Sequence, residues 1–182
     1  NDKNIKAKIL THIGQAYLKS EDPLKAVKVY YTAITLSSDK NFKIEVLNKI
    51  KKLPNKKHLV KCLLLESSAS MKSNKYPEAI EIYEMALILT ANDSLRAQIL
   101  NNIGVALGMN KQSAEAILAF DQALPLTSDN NLKAQIIMNK GIALQGNKQD
   151  TEAMLAFDQA LKLPMIKALK LKILSLLIVI LF

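Results

Sequence analysis

Along most of the chain, apolar residues return every third or fourth position, and short polar turns such as "KSEDP", "KSNKYP" and "GNKQD" break the runs. That period lines one face of a helix with apolar side chains; a strand would need alternation. The pattern predicts paired helices over 4–19 with 22–37, 57–73 with 76–90, 94–109 with 112–126 and 131–146 with 149–163. Pro23 and Pro77 fall in the first turn of second helices, where the N–H that proline lacks has no intrahelical partner to lose.

The pairs read as copies of one unit. The heptapeptide LAFDQAL stands at 118–124 and again at 155–161, and at the same interval Gly104 aligns with Gly141, Ala116 with Ala153, Phe120 with Phe157 and Ala123 with Ala160. One step back lie Ser67, Ala79, Tyr83 and Ala86, and the pattern begins with Gly14, Ala26, Tyr30 and Ala33, followed by extra residues before the second copy. The small residue on each first helix and the first alanine on each second helix mark the closest approach of the two axes. The aromatic and the second alanine, four and seven residues further on, share a face of the second helix that is expected to pack against the next unit. One unit alone buries too little to offset its ordering entropy, so the copies are expected to stack. LAFDQAL is therefore read as packing and not as chemistry.

Small, alanine, aromatic and alanine at these four positions resemble the tetratricopeptide repeat, and the match extends over residues 4–163 apart from the extra residues between the first two copies. The long interval is similar to kinesin-light-chain-type variants of that family. The resemblance implies an all-α, right-handed α-solenoid of four helix pairs in residues 1–164, with one inserted helix at 41–53. It also implies a concave side lined by the first helices. "ILNNIGVAL" resembles the family's "LNNLG" segment, whose second Asn contacts peptide backbone, and this carries to Asn102 and Asn139. Gln98 and Gln135 match each other likewise, Asn101 stands beside them, and Lys8, His12 and Gln15 are the first-repeat candidates. An amide side chain donates and accepts at once, which suits the backbone of an extended peptide. The two-carboxylate clamp of chaperone-binding relatives is present only in fragments, Lys8 and Lys61 among them.

Composition agrees with helices: the 182 residues include five Gly, five Pro and no Trp. The formal charge of +9 is almost all lysine, with Arg96 the single arginine. It is uneven: residues 1–75 carry 16 lysines against 6 acids, while the remainder carries 9 basic residues against 10 acids. Residues 40–61 are the densest stretch, and Lys49, Lys51, Lys52, Lys56 and Lys57 form a candidate basic patch on and after a helix whose apolar face is Phe42, Val46, Ile50 and Leu53. That helix reads as a degenerate first helix without a partner, and its lysines as a solvated face or a seat for an acidic protein, anionic lipid or nucleic acid.

Cys62, next to Leu63, Leu64 and Leu65, is expected to be a small buried residue. The chain begins at Asn1 and shows no signal peptide, so it reads as processed or as a segment of something longer, in a cytoplasmic setting or at a membrane. After Pro164, "MIKALKLKILSLLIVILF" (165–182) is an apolar helix with three lysines. It is expected to cap the last unit, to pair with a second copy and give a homo-oligomer, to begin a membrane span or hydrophobic domain, or to anchor at a lipid interface.

No phosphate loop, HExxH, CxxC or nucleophile elbow occurs, and His12 and His58 are too far apart for a metal pair, so neither catalysis nor a metal nor a cofactor is expected. The expected function is an adaptor for a protein or peptide partner, with a membrane-tethered assembly factor as the alternative. Nucleic-acid binding is disfavoured by the single arginine, the 5% aromatic content and the acid-leaning second half.

Overall fold

The computed structural model describes residues 2–181, and within them the secondary structure is helical throughout. The α-helices are α1 (Asp2–Lys19), α2 (Pro23–Leu36), α3 (Lys40–Lys51), α4 (Lys56–Lys72), α5 (Tyr76–Leu89), α6 (Asp93–Met109), α7 (Ser113–Ala123), α8 (Asn130–Gly146), α9 (Asp150–Leu161) and α10 (Lys167–Leu181). One expected helix is shorter than the pattern suggested: α7 stops at Ala123 and Leu124–Leu126 form a 3-10 turn. Pro125 lacks the N–H that the next α-helical bond requires.

The helices fall into two compact units, residues 1–66 with 84–91, and residues 67–83 with 92–182. In the first unit α1 packs along α2, and α3 rests on α2 with Val46 and Ile50 buried. Lys28 of α2 pairs with Glu66 at 2.5 Å, and the Tyr31 hydroxyl donates to the Glu84 carboxylate. In the second unit α6 packs on α7 and α8 on α9, α7 and α6 both touch α8, and α10 lies on α9 and α8. A core of Ile137, Met138, Leu144, Phe157 and Ile173 joins α8, α9 and α10.

Three of the helix pairs are locked by a glycine. A Cβ built on Gly14 would lie 2.6 Å from the Tyr30 ring, on Gly104 2.5 Å from the Phe120 ring, and on Gly141 2.5 Å from the Phe157 ring. The aromatic thus lies on the first helix of its own pair, in addition to the expected packing on the next unit. It does both jobs: Phe120 also borders a cavity against α8, and Phe157 belongs to the cluster holding Ile173 of α10. The remaining repeat positions are buried as the alignment expects, with Ala26, Ala79, Ala116 and Ala153 fully inaccessible and Tyr83 nearly so.

The turns repeat as faithfully as the cores. Glu21, Asn74, Lys111 and Lys148 occupy the left-handed region with φ between 58° and 62°. In each case the next residue's N–H reaches back five residues to a helix carbonyl, as with Gln112 N to Leu107 O and Gln149 N to Leu144 O, both 2.9 Å. This is the Schellman closure, here built without glycine.

The links from second to first helices repeat too. Asp39, Asn92 and Asp129 cap α3, α6 and α8, accepting from Asn41 N (2.9 Å), Leu95 N (2.8 Å) and Asn131 N (2.8 Å). By this start, α3 is a first helix in kind. Asn4 and Asn131, at matching positions, accept from Ser38 N (3.4 Å) and Ile166 N (3.0 Å), so the chain enters α10 as it enters α3.

Candidate partner-binding groove

The face that could meet a partner is built from first helices, so the positions that recur on them decide its chemistry. In the second unit α6 and α8 are neighbours, and the side chains six and nine places along each repeat are Asn102 with Val105, and Asn139 with Ile142. Gln98 and Gln135 are exposed one turn earlier, while Asn102 and Asn139 are half-buried. Beyond them a cavity of about 310 Å³ opens between α6, α7 and α8. Val105, Met109, Ile142 and Ala143 give it an apolar wall, the Phe120 ring lies behind them, and Asn139 stands at its edge. Met109 is 57% and Ile142 41% exposed, so its mouth is an open apolar surface.

The structure corrects one member of this set. Asn101 is only 4% exposed, and its Oδ1 accepts a 3.0 Å hydrogen bond from Asn139 Nδ2. It cannot present its amide to a partner; it fixes the Asn139 side chain across the gap between α6 and α8. The cause is helical geometry, since adjacent residues point about 100° apart and only one of an Asn–Asn pair can face outward. Asn139 keeps its carbonyl oxygen and a second N–H for a ligand. Below this bridge, Lys140 pairs with Asp121 at 2.5 Å and ties α8 to α7.

Lys8, His12 and Gln15 belong to the first unit and are all exposed on α1. With Thr11, Phe42, Glu45 and Lys49 they line a shallower cavity of about 210 Å³. His12 Nδ1 lies 3.0 Å from the Lys8 carbonyl and therefore donates to it, which leaves Nε2 outward. The basic patch sits at the turn from α3 to α4. Lys49 pairs with Glu45 at 3.1 Å and Lys56 donates to the Lys51 carbonyl at 3.1 Å, while Lys51, Lys52 and Lys57 are exposed and make no ion pair among the described residues.

Cys62 departs from its expectation. It is half-buried, and its Sγ lies 3.5 Å from Nε2 of His58, one turn earlier on α4. Of the leucines beside it, Leu63 is fully buried while Leu65 is exposed. Among the described residues no group of three or more metal-ligating side chains converges, and no helix is long and apolar enough to cross a membrane.

Burial shifts one titration in the first pair: it pushes the Tyr30 hydroxyl above its usual range, because a phenolate would lose its water there. At the turn before it, the hydrogen bond and ion pair from Lys25 hold the Asp22 carboxyl below its usual range.

Residues 7–40 match the family model of the tetratricopeptide repeat. No curated protein sequence matches the chain significantly. Among solved structures it is similar to the TPR2AB domain of yeast Sti1 in its pHSP90 complex, with 21% identity and a TM-score of 0.51 over 87% of this chain and 62% of that one. It is also similar to MamA, with 16% identity and a TM-score of 0.50 over 86% of this chain and 77% of that one. The first glycine-on-aromatic hairpin lies within the segment that matches the tetratricopeptide repeat, and the chain shares its helical fold with these solved structures.

Proposed function

We propose that this protein is an adaptor that holds an extended segment of a partner protein against α6 and α8 and carries out no chemistry on it. The observation that carries the reading is the cavity between these helices, which sets an apolar wall of Val105, Met109 and Ile142 beside the amide of Asn139. About 310 Å³ is the lower end of the range for ligand sites, large enough for one or two apolar side chains. The segment's apolar residue would enter there while Asn139 and Asn102 take its neighbouring peptide groups, one accepting and one donating. Gln98 and Gln135 would extend the amide row by another turn.

Several such hydrogen bonds, each worth about 0.5–1.5 kcal/mol net, together with one buried side chain at about 1.5–3 kcal/mol, support affinity in the micromolar range. The Sti1 domain, solved with pHSP90, is a precedent for a partner segment held by this fold.

The test uses the full chain as bait for a displayed library of random peptides. Selected peptides are expected to share an apolar residue and to lose at least about tenfold in affinity against Ile142→Asp, since a carboxylate in the apolar wall forfeits more than about 1.4 kcal/mol. Asn102→Ala is expected to weaken them without changing the fold. Equal binding to wild type and Ile142→Asp would discard the site.

A further inference from the structure

The packing of α10 leaves a second surface that the groove does not use. Its inner face is spoken for: Ile173 is fully buried, and Leu169, Leu176, Leu177 and Ile180 pack around it against the α8–α9 core. On the opposite side Leu171, Leu174 and Ile178 follow one another at spacings of three and four, with Val179 beside them. Leu171 is 57%, Ile178 58% and Val179 74% exposed, an apolar stripe that water meets directly. Lys167 continues that stripe one turn toward the N-terminus, and Lys170 and Lys172 are exposed alongside.

Charge decides what such a face fits. After Asp158 the sequence contains four lysines and no acid, and Asp158 itself is taken by Lys162 at 2.6 Å. A second copy of α10 laid on this stripe would add three more lysines and no counter-charge. An anionic bilayer supplies both missing parts, apolar depth for the leucine side chains and phosphates for the lysines, whose stems reach the headgroup level while the apolar side chains go deeper.

We propose that the outer face of α10 is a seat for the surface of an anionic phospholipid membrane. In this arrangement the helix lies along the bilayer, with its three lysines at the headgroup level. Membrane contact through α10 leaves the cavity between α6 and α8 uninvolved, since no α10 residue lines it.

The experiment is flotation of the full chain with vesicles of phosphatidylcholine alone and of phosphatidylcholine mixed with phosphatidylserine. Recovery with the anionic vesicles and little with the neutral ones is expected. Lys167→Gln with Lys170→Gln should lower partitioning roughly 25-fold, about fivefold for each lysine at the surface. Leu171→Ser with Ile178→Ser should also release the chain, and because both side chains face outward the helical circular dichroism should stay the same. Equal recovery of all variants, or no recovery with any vesicle, overturns the proposal. So does sedimentation equilibrium that shows a dimer lost in Leu171→Ser with Ile178→Ser while the vesicles stay empty, which would assign the face to a second copy.

Discussion

Two glycines on one helix should respond to the same substitution with opposite signs. Gly104→Ala adds a Cβ that would lie 2.5, 2.7 and 2.9 Å from Cε1, Cζ and Cδ1 of Phe120. These are atoms of a rigid ring that is 1% exposed, so neither a rotamer change nor a move into solvent relieves the overlap. Either the ring or α7 must shift. Overpacking of this kind costs about 1–3 kcal/mol, against a gain of up to about 1 kcal/mol from replacing glycine in a helix, for a net loss of about 1–2 kcal/mol. Four residues later, a Cβ on Gly108 meets nothing within 4 Å. Gly108→Ala therefore keeps only the propensity gain, reduced by its position in the last turn, and should stabilise by a few tenths to about 1 kcal/mol. Thermal unfolding followed by circular dichroism reads the difference, because at this chain length each kcal/mol moves the melting temperature by about 2–4 °C. A double-mutant cycle locates the cause: in a Phe120→Leu background the Gly104→Ala penalty should shrink by more than about 0.5 kcal/mol. Shifts of the same sign at both glycines, or an unchanged penalty in that background, would refute the packing argument.

Further expectations rest on single contacts. Asn139→Ala strips the buried Asn101 oxygen of its donor and should cost about 1–3 kcal/mol of stability, whereas Asn102→Ala should cost little, as parallel urea titrations would show. Lys148→Gly relieves a left-handed residue at φ 61° and should raise stability by about 0.5–1 kcal/mol after the greater freedom of glycine in the unfolded chain is counted; a fall would mean the lysine side chain contributes more than its backbone costs. Asp22→Ala removes the acceptor for Lys25 N, a 3.1 Å cap, and should lower the melting temperature in a thermal scan. Tyr30 titrates higher folded than unfolded, so its contribution is complete below the unfolded value near 10 and is lost as pH rises through the folded one. Alkaline unfolding titrations of wild type and Tyr30→Phe should diverge above that pH, with the variant less sensitive.

The fold was legible because its determinants are local and periodic. Gly14, Gly104 and Gly141 each precede their aromatic by the same number of residues, and that spacing alone brings the two together once both segments are helical. The polar turns were legible for the same reason, although nothing marked Lys111 or Lys148 as left-handed, since neither is the glycine or asparagine that usually closes a helix this way. Asn101 was misread because its role depends on Asn139, a residue 38 positions away on the neighbouring first helix, and composition at one position does not report a partner at another. Cys62 was misplaced by its leucine neighbours, which alternate around the helix and bury Leu63 while leaving Leu65 exposed. The tail read as an apolar helix with three lysines; only packing on α8 and α9 divides it into an inner face around Ile173 and an outer one around Leu171 and Ile178.

The groove between α6 and α8 is tested most directly by the methyl resonances of Met109 and Ile142 and the side-chain amide resonances of Asn102 and Asn139, followed as a library-selected peptide is titrated into the labelled chain. All four should shift together and saturate at one dissociation constant, while the methyls of Leu171 and Ile178 on α10 stay in place. Saturable shifts confined to residues outside α6 and α8, with Met109 and Ile142 unmoved, would contradict the account.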